Sequence, residues 1–496
     1  MASQTKNYDK QKLLGQVYTP NFVVEKILED IAYTEKNILG KTILDPSCGD
    51  GRFLLLIAQK IIQFSPKEQL QQNLEKIYGW DIDDEAIKIC IEKLNLLVNP
   101  YFISVNWNIT VCNALEKIID RSQKFDFIVG NPPYIRIQHL DEKERKFIQT
   151  NYQFCKSGST DSYIAFYELC DALLSEIGIC ALITPNTFFY SQTAKYMRNY
   201  FAKNQNISKI TNYGDIQLFA NATTYSAIMV FGKQKTANFI FEQATQQTVF
   251  AQRMVNFAEI QEQKIWQLSL QNAIDTSGTK LKNICTIHVG ITTLCDKGYI
   301  FQLTAANIAA LANEDSCIVL ESKLQGLVKL EKQLLKPIIK ASKLKNSQQE
   351  ISEYILFPYQ KVDKKHKIIA EEKIKLEFPY TYQYLVSIKS ELDKRDNGKK
   401  NTVAWYAFGR SQGLDTSFGK KILFSPMNHS PNFVLSERED CTFYSGYCIK
   451  YIGDFDFLLA QLNSERMAAY MQVSSRDFRG GWKAYNKRAI EEFTIL

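Results

Sequence analysis

The first 240 residues alternate short apolar segments with amphipathic ones, and this alternation limits the possible folds more than any other feature of the chain. Segments such as "KTILDPS", "KIYGWDID" and "KFDFIVGNPPY" are predicted strands, whereas "GRFLLLIAQKIIQF" and "DEAIKICIEKLNLLV" have helical periodicity. This β-α-β order predicts an α/β fold with a doubly wound, mostly parallel sheet. Two closing segments, "ISKITNYGD" and "TTYSAIMVFGK", are predicted to form an antiparallel hairpin at one edge.

The alternation ends near residue 240. Residues 241–280 are rich in glutamine and are predicted to be a connector. Beyond them, short apolar segments mix with lysine-rich loops, which predicts a second, α+β domain over residues 281–496. A chain of 496 residues is long enough for two or more domains.

The formal net charge of +7 is unevenly distributed. Residues 1–240 are nearly neutral, and the surplus of lysine and arginine lies in residues 241–496. This surplus is a mild indication of a polyanionic partner. A solvated, lysine-rich surface explains it equally well, so charge alone leaves the question open.

Several classes of protein are disfavoured by what the sequence lacks. It has no run of about 18 apolar residues, so no membrane partner is expected, and "MASQTKNYDKQKLLGQVYTP" lacks the apolar core of a secretory signal. Eleven cysteines, without a CxxC pair, are expected to be reduced thiols in a cytoplasmic protein. The four histidines have no metal-ligand spacing, so no metal is expected.

A glycine-containing turn follows the first predicted strand. "TILDPSCGDGRFLLLIAQ" places Asp45 at the strand end, Gly49 and Gly51 in the turn, and a long helix behind them. Glycines allow close approach of a ligand, and a helix N-terminus offers free N–H groups. The next strand ends in "GWDID", where Asp81 can accept hydrogen bonds from ribose hydroxyls. The turn with Asp81 favours a nucleoside ligand over an ordinary tight β-α turn.

The fourth strand runs directly into Asn131-Pro132-Pro133-Tyr134. Proline ends the strand by removing backbone donors, at the sheet edge where ligands of α/β proteins bind. The Asn131 side-chain oxygen and the Pro132 carbonyl could draw the two hydrogens of a planar amine out of its plane, which localises its lone pair. Tyr134 could stack on a flat substrate. The alternative is a strand-terminating turn with a core tyrosine.

Together these motifs resemble the γ-class (Taq-type) DNA adenine-N6 methyltransferases, with a Rossmann-like catalytic domain and a C-terminal target-recognition domain. In "GQVYTPNFVVEKIL", Tyr18, Thr19 and Pro20 match the family's motif X. "STDSYIAFYELCDALLSEIGICALITPNTFF" resembles its middle strands, and "LFANATTYSAIMVF" its motif VIII. By resemblance, Phe219 would face Tyr134 across a flipped adenine, although an ordinary apolar contact is almost as plausible for it.

The resemblance implies S-adenosylmethionine as the cofactor and assigns residues 1–240 as the catalytic domain. Besides the residues named above, the implied cofactor-binding set includes Pro46, Cys48, Ile82, Asn113, Ala114 and Asn131. Asn113 is a departure, because the family usually has Asp there to accept a bond from the cofactor's adenine amine. An asparagine oxygen can still accept this bond, so we expect cofactor binding to persist.

Two later segments, "VAWYAFGRSQGL" and "SSRDFRGGWKAYNKRAIEEFTI", resemble the C-terminal specificity domain of this family. The resemblance implies double-stranded DNA as the partner, gripped at its phosphates and read at its base edges. The residues expected to face DNA are Arg410, Gln412, Arg476, Arg479, Trp482 and Lys483. For Trp405, Tyr406 and Trp482 we favour the alternative that they pack the core of this domain.

Other assignments remain open at this stage. Protein glutamine methyltransferases share the Asn-Pro-Pro-Tyr chemistry, but they end soon after the catalytic sheet, whereas residues 241–496 follow it here. An RNA adenine methyltransferase, a type I modification subunit and an inactive DNA-binding regulator are further alternatives. We expect a monomer that works with or without a separate restriction endonuclease.

Overall fold

A nine-stranded mixed sheet organises residues 43–256. Its strands in chain order are β1 (Ile43–Asp45), β2 (Ile77–Asp81), β3 (Asn108–Val111), β4 (Phe125–Gly130), β5 (Leu174–Pro185), β6 (Ile207–Asn212), β7 (Ser226–Gly232), β8 (Asn238–Gln246) and β9 (Val249–Asn256). Across the sheet they follow the order β3-β2-β1-β4-β5-β7-β6-β8-β9. All neighbours from β3 to β5 pair in parallel, whereas β7 is antiparallel to both β5 and β6. The predicted α/β fold with a doubly wound, mostly parallel sheet is therefore confirmed.

This description comes from a computed structural model, which describes residues 19–35, 37–156, 161–219, 224–261, 265–270, 277–475, 477–478 and 480–496. The chain divides into two units, residues 1–274 with 476–481, and residues 275–475 with 482–496.

Helices cover both faces of the sheet in the first unit. They are α1 (Asn21–Asp30), α2 (Arg52–Phe64), α3 (Leu70–Leu74), α4 (Asp84–Val98), α5 (Glu142–Asn151), α6 (Ser162–Leu173) and α7 (Lys195–Asn204). Short 3₁₀ turns span Lys67–Gln69, Asn99–Tyr101, Ala114–Ile118, Ile137–His139, Gln153–Cys155, Asn186–Phe189 and Phe257–Glu259. Alternate residues of β4 pack into two different core clusters: Ile128 into one, Phe127 and Val129 into the other. A sheet buried on both faces explains why its central strands are continuous apolar runs.

The predicted edge hairpin differs from the structure. β6 and β7 do pair antiparallel, but β7 lies between β5 and β6, and the hairpin at the sheet edge is β8–β9. Six of the seven residues of β7 are buried, and an apolar strand of this kind is stabilised by a neighbour on each side.

The predicted connector over residues 241–280 also differs, because β8 and β9 extend the sheet to Asn256. Phe239, Phe241 and Ala244 of β8 are buried, while the glutamines beside them have more solvent contact. The strand period of two was therefore present in the sequence, but the glutamine content masked it.

Four charged residues, one buried and three half-buried, tie the first helix to this extension. Lys26 lies 2.6 Å from Asp30 and 2.8 Å from Glu242, and Lys209 lies 2.8 Å from Asp30 and 3.2 Å from Glu242. Thr211 Oγ1 also donates to Glu242 over 2.7 Å. Each charge thus has opposite charges as neighbours, which compensates for its removal from water.

The remainder of the chain mixes short strands and helices, as predicted for the C-terminal domain. The strands are β10 (Thr279–Lys280), β11 (Cys285–Val289), β12 (Ile300–Gln302), β13 (Cys317–Ser322), β14 (Gly326–Glu331), β15 (Leu335–Lys340), β16 (Glu353–Leu356), β17 (Tyr359–Val362), β18 (Lys365–Ile368), β19 (Lys421–Phe424), β20 (Met427–Asn428), β21 (Phe433–Ser436), β22 (Thr442–Tyr444), β23 (Tyr447–Tyr451), β24 (Asp477–Phe478), β25 (Trp482–Ala484) and β26 (Thr494–Ile495). The helices are α8 (Asp296–Tyr299), α9 (Ala305–Leu311), α10 (Glu371–Glu377), α11 (Pro379–Ser387), α12 (Lys389–Leu392), α13 (Arg395–Gly398), α14 (Phe455–Leu462), α15 (Glu465–Ser474) and α16 (Lys487–Glu492). Short 3₁₀ turns span Leu281–Asn283, Lys332–Leu334 and Ala341–Lys343.

Two four-stranded sheets form the centre of the second unit, in the orders β11-β23-β19-β21 and β12-β16-β15-β22. Two hairpins, β13–β14 and β17–β18, form separate two-stranded sheets. Among the described residues, no helix is long and apolar enough to cross a membrane. All eleven cysteines have free thiols.

Candidate active site

Asp45 ends β1 and is almost completely buried. Ser47 N donates to its Oδ1 over 3.0 Å. On the neighbouring strand β4, a Cβ built on Gly130 would lie 2.7 Å from the same oxygen, so only glycine leaves room for this carboxyl group. Burial, opposed by the hydrogen bond from Ser47 N and assisted by the nearby charge of Asp81, raises the pKa of Asp45 to about 8. The carboxyl group is thus set up to ionise when a cation arrives.

The turn between β1 and α2 depends on its glycines. Gly49 has φ +51° and Gly51 has φ +88°, in the left-handed region that side chains rarely adopt. A Cβ on Gly51 would also lie 2.5 Å from the Sγ of Cys90 on α4. Gly51 therefore allows the turn to lie directly against α4.

Asp81 lies at the end of β2, and its side chain is hydrogen-bonded to the turn that follows β1. Its Oδ2 accepts from Gly49 N over 2.8 Å, and its Oδ1 accepts from Asp83 N over 2.9 Å. Burial raises the pKa of Asp81 above its usual value. Each carboxylate oxygen has a second lone pair, so Asp81 can still accept bonds from ligand hydroxyls.

Asn131 lies just beyond β4, with contacts at both ends of its amide group. Its Nδ2 donates to Thr19 Oγ1 over 3.1 Å. Its Oδ1 accepts a hydrogen bond from the Tyr134 hydroxyl, and that hydroxyl also lies 3.3 Å from the carbonyl of Ile183. The Ser47 hydroxyl donates to the Asn131 main-chain oxygen over 3.3 Å. The bonds to Thr19 and Tyr134 hold the amide group of Asn131 at both of its ends.

Ser162, which the sequence analysis did not single out, holds the Asn-Pro-Pro-Tyr turn from behind. Its Oγ donates to the Pro133 carbonyl over 2.6 Å and accepts from Ile135 N over 3.2 Å, and its own N–H donates to the Ile135 carbonyl over 2.7 Å. A serine at a helix start is too common to be identified as such a residue from one sequence.

These elements surround a cavity of about 600 Å³. Among the predicted cofactor residues, its lining includes Thr19, Asp45, Pro46, Cys48, Gly49, Asp81, Ile82, Asn113, Ala114 and Asn131. Pro133 also lines it, whereas Pro20, Gly51, Pro132 and Tyr134 do not. Tyr18 lies outside the described residues. The structure therefore brings most of the predicted cofactor residues to one cavity.

A wall of this cavity was missed by the sequence analysis. It consists of the segment after Asn-Pro-Pro-Tyr and the start of α5, with His139, Leu140, Lys143, Glu144 and Phe147 facing the cavity. The segment reads as a charged loop in sequence, because only Phe147 and Ile148 interrupt the run "DEKERK…QTN". Burial raises the pKa of Glu144, and the carboxylates of Asp141 and Glu116 raise it further.

Asn113 and Phe219 have surroundings that the sequence could not reveal. Asn113 Oδ1 accepts from Leu115 N over 3.1 Å and so caps a 3₁₀ turn, which leaves one lone pair for a ligand. Phe219 is buried in the core cluster of α1 and α2, while Tyr134 packs against the other cluster, with its ring 6.3 Å from that of Tyr163. The structure does not bring Tyr134 and Phe219 face to face.

The residues expected to face DNA differ in how exposed they are to solvent. Arg410 and Gln412 are exposed, and Arg410 forms a two-pronged ion pair with Asp396, at 3.0 and 3.1 Å. Trp482 is 40% exposed, with its ring 4.1 Å from that of His429, whereas Tyr406 is buried. Arg476 and Arg479 lie outside the described residues.

Lys483 is a correction to the expected DNA-facing set. Only 6% of it is exposed, and its ammonium group donates to the Gln472 carbonyl over 2.9 Å. Lys483 lies in β25, where Trp482 is exposed and Lys483 is buried. Neighbouring residues of a strand face opposite sides, and the sequence alone did not show which of these two faces inward.

Comparison with known proteins gives the class of this domain. Residues 75–219 match the family model described as Eco57I restriction-modification methylase. The structure of the type IIL restriction-modification enzyme MmeI in complex with DNA aligns with a TM-score of 0.60 at 13% sequence identity, covering 94% of this chain and 64% of that one. This likeness confirms the fold, a large mainly parallel sheet with a further C-terminal domain.

Two curated relatives align over almost all of this chain. The type II restriction enzyme and methyltransferase RM.Eco57I of Escherichia coli is 23% identical, over 94% of this chain and 55% of its own length. The type II methyltransferase M.BanIII of Aneurinibacillus aneurinilyticus is 24% identical, over 94% and 86%. The chain thus spans about half of the first relative and most of the second, and the predicted resemblance to restriction-modification methyltransferases is confirmed.

Proposed function

We propose that this protein transfers a methyl group from S-adenosylmethionine to the N6 amino group of an adenine flipped out of double-stranded DNA. It would act as the modification enzyme of a restriction-modification system or without a partner endonuclease. The observation that carries the proposal is Asn131, whose amide is oriented by Thr19 beside a cavity that also contains Asp45 and Asp81. The relatives named above are methyltransferases, which supports the same reaction class.

The cavity residues fit this cofactor. S-adenosylmethionine, when bound, supplies a methyl group on a positively charged sulfur. Asp81 has free acceptor positions for ribose hydroxyls, Asn113 has one for an adenine amine, and Asp45 can become the counter-ion of a cationic group. No group of three or more His, Cys, Asp or Glu suited to a metal ion occurs in the described part of the chain.

Asn131 and Pro132 would act on the amine rather than on the methyl group. The lone pair of an aromatic amine is delocalised, so two acceptors outside the ring plane are needed to draw its hydrogens away and localise it. Asn131 Oδ1 would be one acceptor and the Pro132 carbonyl the other. Thr19 holds the nitrogen end of the Asn131 amide, and Ser162 holds the turn that contains Pro132. Such prior positioning can supply much of a rate enhancement.

Tyr134 occupies one of the two lone pairs of this acceptor oxygen. Its hydroxyl bonds to Asn131 Oδ1, the atom that would accept from the amine. Turning the Tyr134 ring away would free that lone pair and present the ring face for stacking on the base. Extruding a base from a duplex costs about a few kcal/mol, which such stacking partly offsets.

The second unit would grip the duplex and read its sequence. Its exposed Arg410 and Gln412 have the side-chain types that pair with guanine and adenine edges, respectively. A monomer is sufficient for this arrangement.

The test is to sequence the methylome of bacterial cells that express the wild-type protein, the Asn131→Ala variant or the Asn99→Ala variant. Asn99 is exposed at the end of α4 and serves as the matched control. We expect N6-methyladenine at one sequence motif in the wild-type and control cells, and none with Asn131→Ala. Modified cytosine instead of adenine would disprove the adenine assignment, and methylated release-factor glutamine without DNA methylation would disprove DNA as the substrate.

A further inference from the structure

The hairpin β17–β18 is a strongly basic element of the second unit. Its ten residues, 359–368, include Lys361, Lys364, Lys365 and Lys367, all exposed, and a single carboxylate, Asp363. Asp363 and Lys364 form the tight turn, with φ of +51° and +65°. The sequence analysis treated this region only as part of the lysine-rich surface.

These four lysines lack counter-ions in the described part of the chain. None of them forms an ion pair there, although other lysines of the unit do: Lys280 and Lys282 with Glu492, and Lys420 with Glu437. In the hairpin register, Gln360 is opposite Lys367 and Val362 is opposite Lys365, so Lys365 and Lys367 share one face, whereas Lys361 lies opposite His366 on the other face.

The base of the hairpin is held rigidly, so the lysines are not on a loose loop. His366 N donates to Asp415 Oδ1 over 2.6 Å, and His366 Nδ1 lies 3.0 Å from the same oxygen. The rings of Phe357 and Phe418 lie 5.2 Å from the His366 ring. The Tyr359 hydroxyl accepts from Phe408 N over 2.7 Å.

These contacts place the hairpin beside an exposed segment, Arg410–Gln412, which we call the tip. Phe408 and Asp415, which precede and follow the tip, both bond to the hairpin. The tip itself is anchored, because Gly409 N donates to the Thr293 carbonyl and Arg410 N to that of Thr292. The basic hairpin and the exposed Arg-Ser-Gln sequence are therefore neighbours in the second unit, and both are exposed.

We propose that the hairpin contacts DNA phosphates beside the tip, an inference that rests on the function proposed above. Lysines that neutralise phosphates release counter-ions, so binding weakens as salt increases, with a slope of about 0.9 per phosphate in log–log form. Such contacts position the protein on the duplex without reading its sequence. The four lysines would thus contribute affinity, and the neighbouring tip would be free to contact bases.

The experiment measures binding of the full-length protein to a fluorescent duplex by anisotropy over a series of NaCl concentrations. The test variant replaces Lys361, Lys365 and Lys367 with Gln; Lys364 is kept because of its left-handed backbone. The control variant replaces Lys67, Lys203 and Lys235, exposed lysines of the first unit, with Gln. A third variant places Arg at the three hairpin positions and keeps the charge.

We expect the Gln variant to bind at least tenfold more weakly near 0.1 M NaCl and to lose about two to three units of salt slope. Its melting temperature and its methylation motif should match the wild type, and the control and Arg variants should keep the wild-type slope. A test variant with the wild-type slope, or a control that loses as much, overturns the hairpin assignment alone. A wild-type protein without measurable DNA binding overturns the proposed function as well.

Discussion

At the scale of single residues, Asp45 is a carboxyl group held where its charge is unfavourable. It is buried beside the carboxylate of Asp81, and its pKa is raised to about 8. An acid whose pKa is raised on folding binds more protons in the folded state. Its contribution to stability is therefore present at pH values below about 4 and is lost as the pH rises to about 8. Because the buried negative charge of Asp45 is unfavourable, binding of a cation beside it is favoured.

We therefore expect Asp45→Asn to raise the melting temperature of the ligand-free protein at pH 8.5 and to leave it unchanged near pH 4. The same variant should bind S-adenosylmethionine more weakly than the wild type. In the wild type, affinity should increase with pH, by up to about tenfold per unit, until it levels off near pH 8. Differential scanning fluorimetry at pH 4 and 8.5 and calorimetric titration between pH 6 and 9 check the two effects; a variant that is less stable at pH 8.5 would contradict the assigned pKa.

Thr19 is one hydroxyl that holds the proposed catalytic side chain, Asn131. Because it accepts from Asn131 Nδ2, Thr19→Val should allow the amide to rotate and misdirect its oxygen. We expect kcat to fall by about 10- to 100-fold, while the dissociation constant for the cofactor changes little. Thr19→Ser keeps the acceptor and should restore kcat. Single-turnover methylation with separate cofactor titration distinguishes this result from a loss of cofactor binding alone.

At the scale of elements, the turn between β1 and α2 contains a matched pair of glycines. Both have positive φ, but a Cβ on Gly49 would meet nothing within 4 Å, whereas one on Gly51 would meet the Cys90 thiol. Gly49→Ala should destabilise the protein by about 1–2 kcal/mol, the cost of a left-handed backbone. Gly51→Ala should destabilise it clearly more, because α4 must also move. Urea unfolding of both variants tests the order, and equal losses would show that the Cys90 contact is unimportant.

The strands and ligand-binding turns of the first sheet were predictable because local signals were sufficient. Each of β1, β2 and β4 is a short apolar run that ends at a residue with distinctive chemistry, namely Asp45, Asp81 and Asn131. The position of β7 between β5 and β6 was not predictable from periodicity, because strand order depends on long-range pairing. The cavity wall formed by α5 was missed because its charged sequence lacks a clear apolar face.

At the scale of the whole molecule, the boundary of the first unit has a direct experimental consequence. A fragment that ends at residue 240 would lack most of β8 and all of β9, so β6 would become an open edge. It would also lack Glu242, leaving Lys26 and Lys209 with only Asp30 as a partner. We expect this fragment to aggregate, while one that ends at residue 274 gives a larger soluble fraction and a cooperative melt. Expression and circular dichroism of both fragments test this.

The second unit was predicted only in outline, and its details depend on burial that sequence does not encode. Lys483 and Arg410 look alike as exposed cations in a list of residues, but one is buried against a carbonyl and the other is exposed beside Asp396. The basic hairpin was visible in the sequence as lysines. Only its contacts with Phe408 and Asp415 link it to the Arg410–Gln412 tip.

The bond between Thr19 and Asn131 joins positions 112 residues apart in the chain. Thr19 lies ahead of α1 and outside the nine-stranded sheet, so removing its segment would leave the strand order unchanged. We expect trimming that removes Thr19 to slow the proposed methyl transfer even where the circular dichroism spectrum of the sheet is unchanged.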